Sequence, residues 1–479
     1  MGADLLAVPA VIGGAEVTGD DAFLDLDPST GKPFARAARL GPAEVDRAVA
    51  AAREATAAAR RMSAETRAGL LMRLAELIRR DHDRLTDLET RDVGKPRRQA
   101  AADVVVVARY FEFYAGVLRA LHGDTLPPME GLFAYTQREP FGVTAHITPW
   151  NYPLQMVGRT LAPALAAGNC CVVKPAEDTP VTAVEIARLA LEAGMPPGMV
   201  NVVPGLGPEA GAALAAHPGV DHISFTGSRP VGAEVAAAAA RNVVPVVLEL
   251  GGKSPNIVFA DADLDRAVPL IANAILQNCG QTCSAGSRAL VHVDVHAEFV
   301  ARLRERFEAV RIGPGAADPD LGPLINAKQR DRVAALVRTG SGEADLVTGG
   351  AVPDEPALDG GFFFRPTLFD RVPPDAVIAQ EEIFGPVLAV TPFRTDEEAV
   401  ALANGTEYGL VAALWTRDVG RVHRLAGEIQ AGQVFVNTYG AGGGIELPFG
   451  GRKRSGHGRE KGFEGLLGYT QTKTVVIGL

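Results

Sequence analysis

Between residues 142 and 251 the sequence keeps one rhythm, short β-branched runs separated by Ala-rich stretches, and few folds accommodate that order. The runs fall at residues 143–147, 170–173, 200–203, 222–225 and 244–248, each of strand length. Segments such as 154–166 and 181–193 are long enough for the crossover helices between them. Strands joined by helical crossovers lie parallel, so the series predicts a parallel sheet with helices on both faces. Such sheets take their ligands beyond the carboxyl ends of the strands. A second series begins near Ser254, with strand 256–259, helix 264–277, strand 289–293, helix 297–310 and strands 387–393 and 411–415. The fold class is therefore α/β, with two doubly wound units in succession.

At 479 residues the chain has room for two or three domains of roughly 100 to 200 residues each. Ahead of the first series a turn-punctuated, β-rich arm leads into helices predicted at 42–62 and 63–88. In the second helix Ser63 stands as N-cap, and Leu70, Leu71, Leu74, Leu77, Ile78 and Leu85 recur at helical spacing. Gly94-Lys95-Pro96 breaks the pattern before a third helix over 101–122. Residues 125–138 read as a projecting hairpin, and residues 469–477 alternate like an edge strand that invites pairing with another subunit. Four cysteines in so long a chain make no disulfide framework, which predicts a reducing, cytoplasmic compartment. A net charge of −10 disfavours nucleic acid and anionic membrane as partners. The first residues lack the basic n-region of a signal peptide, and no apolar run is long enough to span a bilayer. The expected partner is a small molecule.

Cys283 lies in Gly280-Gln281-Thr282-Cys283-Ser284-Ala285-Gly286, a polar turn near a predicted helix end where a thiolate is stabilised and reachable. A lone cysteine is more often a small buried hydrophobe, and Cys279, which follows Ile275-Leu276-Gln277-Asn278, is read that way. No His or second Cys pair stands near them at ligand spacing, so no metal is expected. Glu249 ends an apolar run and precedes Gly251-Gly252, which puts its carboxylate at a strand mouth where burial raises its pKa toward that of a general base. The alternative is a carboxylate satisfied by turn amides. Asn151, in Thr148-Pro149-Trp150-Asn151-Tyr152-Pro153, is either a turn former or an amide that donates to a developing oxyanion. Residues 205–211 and 225–232 are Gly-rich turns with backbone N–H groups for phosphate, and neither matches the dinucleotide fingerprint in full. The second joins a strand to a helix, and Ser228 adds a hydroxyl.

Seven motifs in register, spread over nearly the whole chain, resemble those of the NAD(P)-dependent aldehyde dehydrogenases of the hydrolytic type, which do not acylate coenzyme A. They are residues 148–154, Val173-Lys174-Pro175-Ala176-Glu177, residues 225–228, Glu249-Leu250-Gly251-Gly252-Lys253, Gly280-Gln281-Thr282-Cys283, Glu381-Glu382-Ile383-Phe384-Gly385-Pro386, and Pro448-Phe449-Gly450-Gly451 with Ser455-Gly456-His457-Gly458-Arg459-Glu460. The resemblance implies two Rossmann-like α/β domains and a small β oligomerisation element. Residues 1–121 and 141–251 would bind the dinucleotide, 252–446 would form the catalytic domain, and 122–140 with 465–479 would associate subunits into a homodimer or homotetramer. It also implies that Cys283 attacks the aldehyde to give a thiohemiacetal whose oxyanion is held by the Asn151 side chain and the Cys283 N–H. Hydride then passes to the nicotinamide, and Glu249 activates water to hydrolyse the thioester. The implied cofactor contacts are Ile147, Trp150, Lys174, Glu177, Gly207, Gly211, Phe225, Gly227, Ser228, Glu382 and Phe384. Among them Lys174 and Glu177 meet the adenosine ribose, Ser228 the pyrophosphate, and Glu382 and Phe384 the nicotinamide side. A carboxylate at 177 accepts from both ribose hydroxyls and repels a 2′-phosphate, which favours NAD over NADP.

The resemblance places Tyr152, Gln155, Met156, Arg159 and Gly442 along the substrate channel. Arg159 matches an arginine of semialdehyde-oxidising relatives or is an ordinary ion-pair arginine, and Gln277 stands where such relatives place another arginine. Gly440-Ala441-Gly442-Gly443-Gly444 lies where other members often place bulky aromatics; it leaves room for a larger aldehyde or is a loop without such a role. The expected substrate is thus a bulky or aromatic aldehyde, or a semialdehyde. A coenzyme A-acylating dehydrogenase is the alternative enzyme, disfavoured by the presence of Glu249. A non-catalytic binding protein on this fold would have lost Cys283, Asn151 or Glu249, and all three are present.

Overall fold

The computed structural model describes residues 5–440 and 444–479, and among these residues two large sheets form. The first has the spatial order Gly456–His457, Val246–Glu249, His222–Thr226, Val143–Ile147, Cys170–Lys174, Val200–Val202, Ala10–Ile12 and Ala15–Val17. Its five inner strands are parallel, and antiparallel strands close both edges. Each residue of the central strand Val143–Ile147 is buried, as it must be when helices cover both faces. The expected strands of this series lie within two residues of the observed ones.

The second sheet runs Asp345–Thr348, Thr367–Asp370, Val387–Phe393, Arg288–His292, Pro255–Val258, Val411–Trp415, Gln433–Val436. Only its first pair is antiparallel. Two of these strands, Asp345–Thr348 and Thr367–Asp370, and the helix Ala327–Gly340 occupy a stretch in which the sequence rhythm predicts nothing.

The helix expected over 63–88 is two helices, Ala64–Arg80 and His82–Val93, broken at Asp81. Aspartate is poor inside a helix because its carboxylate competes for local partners, and here it takes Arg80 and Arg84. Ser63 caps the first helix as expected by accepting from the Thr66 N–H, and Gly94 ends the second with a left-handed φ of 80°. The third helix is Arg97–Val117, starting earlier than expected because Pro96 supplies a pre-set φ at the cap. The helix expected over 297–310 is Val293–Glu308, since a His292 ring nitrogen already accepts from the Asp294 N–H and starts it.

Helix Pro153–Ala167 is buried along its length apart from Gln155, and it packs on helix Arg97–Val117. A Cβ at Gly158 would come within 3.0 Å of a Val107 methyl, so the two helices approach closely and fix the turn in front of Pro153. Residues 125–138 make only the bridges Thr125 to Tyr135 and Met129 to Leu132 among themselves. The strand there, Leu132–Pro140, pairs instead with Thr470–Gly478, antiparallel from end to end, so the expected hairpin and the expected edge strand are each other's partners. No described helix is long and apolar enough to cross a membrane.

Candidate active site

The carboxyl ends of the first sheet and the loop ahead of strand Arg288–His292 border a cavity of about 480 Å³. Asn151, Glu249 and Cys283 line it together with Trp150, Met156, Gly227, Ser228, Glu382 and Phe384. Side chains carried by two different sheets therefore meet at one opening, where a parallel sheet takes its ligands.

Cys283 is positioned by a strained turn. Helix Leu264–Leu276 runs into Asn278, Cys279 and Gly280, whose φ angles are 48°, 56° and 71°. Only glycine fits at 280, because a Cβ there would lie 2.1 Å from the Gly385 carbonyl oxygen. The two non-glycine left-handed residues cost on the order of 1–3 kcal/mol each, and hydrogen bonds offset that cost. Asn278 Nδ2 donates to the Asn151 carbonyl at 2.8 Å, Gln281 Nε2 donates to the Asn278 carbonyl at 3.0 Å, and the Ile325 N–H donates to Gln281 Oε1 at 2.8 Å. Asn151 Nδ2 donates one hydrogen to the Gln281 carbonyl at 2.8 Å, which leaves the second for an incoming oxygen. Amide and thiol thus share one network. Cys279 packs in the core beside Ile383 and Val387.

The thiol itself corrects one expectation. Burial pushes the Cys283 pKa up to about 11, with the Arg159 charge pulling it down and Glu249 raising it further. Its surroundings thus favour the thiol over the thiolate, where the sequence predicts a stabilised thiolate.

Glu249 closes strand Val246–Glu249 opposite Gly456 of the edge strand. It is 2% exposed, and neither carboxylate oxygen has a hydrogen-bond partner, so turn amides do not satisfy it. Burial and then the like charge of Glu460 raise its pKa well above the usual range, while Arg159 acts the other way. Arg159 Nη2 stands 3.8 Å from Glu249 Oε2, and Arg159 Nε contacts Glu460 Oε2. Gly450 makes room for the carboxylate, since a Cβ there would come within 2.8 Å of Glu249 Oε1.

On the opposite side of the sheet ends, Lys174 Nζ donates to Glu177 at 2.9 Å. Bare backbone at Gly207 and Gly211 faces that pair: a Cβ at Gly207 would lie 3.9 Å from Glu177 Oε1, and one at Gly211 3.8 Å from Lys174 Cδ. Gly227 tolerates no side chain, because the Phe225 ring would lie 2.6 Å from its Cβ. Phe225 and Ile147 are buried at their strand ends, beneath the cavity rather than on its lining. Ser228 starts helix Arg229–Ala240 with a hydroxyl that is not spent on capping, so it and the first helical N–H groups are open to an anion. Across the cavity Glu382 accepts from the Gly252 N–H at 2.9 Å, and burial raises its carboxyl to about 7. A Cβ at Gly251 would strike that carboxylate at 2.2 Å. Phe384, at a left-handed φ of 57°, meets Trp150 edge-on with ring centres 5.2 Å apart. An anion cradle, an ammonium–carboxylate pair and two flat aromatic walls fit a dinucleotide.

Several lining residues carry no sequence signal. Gln329 donates to the Ile383 and Phe384 carbonyls, and Arg332 to those of Ile383 and Glu382, which fixes the turn that presents Glu382 and Phe384. Asn326 Nδ2 donates to Asp178 Oδ1 at 3.1 Å at the same cavity. Gln329 and Arg332 sit on the helix that the sequence rhythm does not mark.

Of the residues expected along the substrate channel, Met156 lines the cavity. Tyr152 is buried; its hydroxyl lies 3.0 Å from Thr282 Oγ1 and accepts from Gln277 Nε2 at 3.0 Å. The Lys95 ammonium stands 4.3 Å over its ring. Gln155 turns aside and donates to Asp103 at 2.6 Å. Arg159 is not a free channel cation: it is buried, ion-paired, and stacked 4.4 Å over Phe449, the ordinary alternative for an arginine at that place. Gly442 lies outside the described residues. Around Cys283 the packing is apolar and aromatic, with Leu410, Phe435, Tyr439 and Phe449.

Known proteins resemble this chain in sequence and fold from end to end. The profile of the aldehyde dehydrogenase family matches residues 17–475. The mitochondrial aldehyde dehydrogenase of Equus caballus is 46% identical over 462 residues, covering 95% of this chain and 91% of that protein. A crystal structure from Burkholderia cenocepacia, provisionally described as an aldehyde dehydrogenase, matches with a TM-score of 0.97 at 53% identity, over 98% of this chain and 100% of that one. An NAD+ complex of an aldehyde dehydrogenase from Bacillus cereus matches with a TM-score of 0.96 at 39% identity, over 99% and 97% of the two chains. With two mainly parallel sheets, a cavity bordered by elements of both and relatives this similar from end to end, the chain belongs to the aldehyde dehydrogenase family.

Proposed function

We propose that the protein oxidises an aldehyde to its carboxylic acid with NAD as hydride acceptor. One observation carries the reading: a thiol, an amide with an unspent N–H and a carboxylate without a hydrogen bond line a single cavity with the Ser228, Glu382 and Phe384 cradle. Cys283 Sγ bonds to the carbonyl carbon as its proton leaves to solvent, directly or through Glu249, which is ionised again before hydrolysis, and the carbonyl oxygen becomes an oxyanion. Asn151 Nδ2 and the Cys283 N–H hold that charge, an arrangement worth about 10²- to 10³-fold in kcat per donor. NAD, held by Ser228, Glu382 and Phe384, would supply the hydride acceptor, and loss of hydride from the thiohemiacetal carbon leaves a thioester on Cys283. Glu249 then takes a proton from water as the water oxygen adds to the thioester carbon. The C–S bond breaks, its electron pair returns to sulfur, and the acid departs.

Lys174 and Glu177 support NAD over NADP, since the carboxylate beside a ribose repels a 2′-phosphate. Residues 1–121 with 141–251 form the dinucleotide-binding domain, and 252–446 form the catalytic domain. Residues 122–140 with 465–479 form the element through which subunits pair, at least as a homodimer. The exposed apolar side chains Phe133, Val476 and Ile477 on the two-stranded ribbon support that last assignment. For the substrate, the engagement of Arg159 with Glu460 and the aromatic surroundings of Cys283 favour an uncharged bulky or aromatic aldehyde over a semialdehyde anion. The test is NADH formation across benzaldehydes, semialdehydes and short aliphatic aldehydes, with NAD and NADP in parallel and Cys283→Ala as control. Highest kcat/KM is expected for an aromatic aldehyde with NAD, and a drop of at least about 10³-fold for Cys283→Ala. Turnover that requires coenzyme A would overturn the hydrolytic step.

A further inference from the structure

Behind the cavity lies a buried line of charge: Glu249, Arg159 and Glu460, each at most 3% exposed. Arg159 projects from helix Pro153–Ala167, while Glu249 ends a strand and Glu460 comes from the loop ahead of helix Gly462–Leu467. Its guanidinium is sandwiched rather than loose, with Phe449 stacked at 4.4 Å, Glu460 Oε2 on Nε, and Glu249 Oε2 at 3.8 Å from Nη2. The last distance is an ion pair without a hydrogen bond. Glu460 is fixed from its other oxygen, which accepts from Ser224 Oγ at 3.0 Å.

Resting on the hydrolytic reading above, we propose that Arg159 is a positioning residue for thioester hydrolysis: shared between Glu460 and Glu249, its guanidinium favours the ionised form of Glu249 without hydrogen-bonding to it, which leaves the carboxylate free to take a proton from water. The physical argument brackets the observed geometry from both sides. Two neighbouring buried carboxylates without a cation force one to hold a proton, and a protonated Glu249 is no base. A cation bonded wholly to Glu249 would hold it as a closed ion pair and remove its basicity. Sharing avoids both. The groups that set the charge on Glu249 are Glu460, Arg159, Arg459 and Lys461, and burial raises its pKa against the cations. Of these cations Arg159 exerts the largest pull, from an ion pair inside the core. In the step it serves, water oxygen bonds to the thioester carbon, the water proton goes to Glu249, and Cys283 sulfur leaves with the C–S electron pair.

The experiment separates acylation from deacylation in the full-length enzyme. The pre-steady-state burst of NADH reports acylation, and the steady-state rate that follows the burst reports hydrolysis. Arg159→Met should retain a burst, lose roughly tenfold or more in steady-state kcat at neutral pH, and shift the acid limb of kcat upward by about one pH unit or more. Arg159→Lys should restore most of both. Glu460→Gln should move the limb downward, because the guanidinium then falls wholly to Glu249. An acid limb that stays in place in Arg159→Met overturns the inference, as does a change confined to KM for carboxylate-bearing aldehydes, which would make Arg159 a substrate cation. If Arg159→Met loses its burst through misfolding, Glu460→Gln decides, and a limb that fails to move downward overturns the inference. Turnover of the unmodified enzyme that requires coenzyme A would refute the hydrolytic reading itself, a different result from any of these.

Discussion

Asn151 gives one amide hydrogen to the Gln281 carbonyl and keeps the other, so its orientation is set by the loop that carries Cys283. Replacing it with alanine should lower kcat by about 10²- to 10³-fold while KM for NAD stays near its original value, measured by steady-state NADH formation. A fall in NAD affinity of similar size would assign the side chain to the cofactor instead. Residues of this kind are legible in the sequence, because Cys283, Glu249 and Asn151 each stand in a short run whose glycines and prolines mark a turn at a strand or helix end. Their electrostatic states are less so. The elevated thiol of Cys283 and the engagement of Arg159 both depend on burial and on Glu460, which lies far away along the chain. Local spacing reports on neighbours in sequence and is silent on such partners.

At the scale of elements, two central strands carry histidines that never meet water. His146 on Val143–Ile147 stacks on Tyr469 and His222 on His222–Thr226 meets the same ring at a tilt, with ring centres 5.7 and 4.9 Å away. Burial, together with the nearby His222, lowers the pKa of His146 to about 3, and burial lowers that of His222 to about 4. The unfolded chain protonates near its ordinary 6.5 while the folded one does not, so the unfolded state binds more protons below that pH. Their contribution to stability is therefore intact above about pH 6.5 and declines as the pH falls toward about 4, by about 1.4 kcal/mol per unit for each histidine. Thermal unfolding midpoints of the parent and of His222→Gln, compared from pH 7.5 to about 4.5, should converge toward acid. A constant difference across the range would sink the idea. The strands holding these residues are predictable because a parallel sheet covered on both faces demands short, uninterrupted buried runs. Strand Asp345–Thr348 gives no such signal because it is a half-exposed edge strand without a buried run. Asp81 likewise splits a helix whose leucines keep an unbroken period, since the break rests on a carboxylate's local pairing rather than on the apolar pattern.

On the scale of the whole molecule, the ribbon of Leu132–Pro140 and Thr470–Gly478 stands apart from both large sheets and presents apolar side chains outward. Phe133 sits directly across from Ile477, and both are more than 40% exposed. Aspartate at both positions should shift the protein toward monomer in light scattering coupled to size exclusion, with the far-ultraviolet circular dichroism of the parent retained. An unchanged mass would place the subunit contact elsewhere. The residues alone read as a hairpin and a free edge strand, and that they combine into one element comes from the family resemblance, because their pairing joins segments more than 300 residues apart. The same C-terminal stretch also passes Gly456, which faces Glu249 across the strand register, then Glu460 on Arg159, then Tyr469 on the two buried histidines, before it enters the ribbon. Chimaeras of this enzyme are therefore sensitive to where the C-terminal junction falls: a swap that imports another relative's ribbon from before Glu460 also exchanges the carboxylate that pairs with Arg159 beside Glu249.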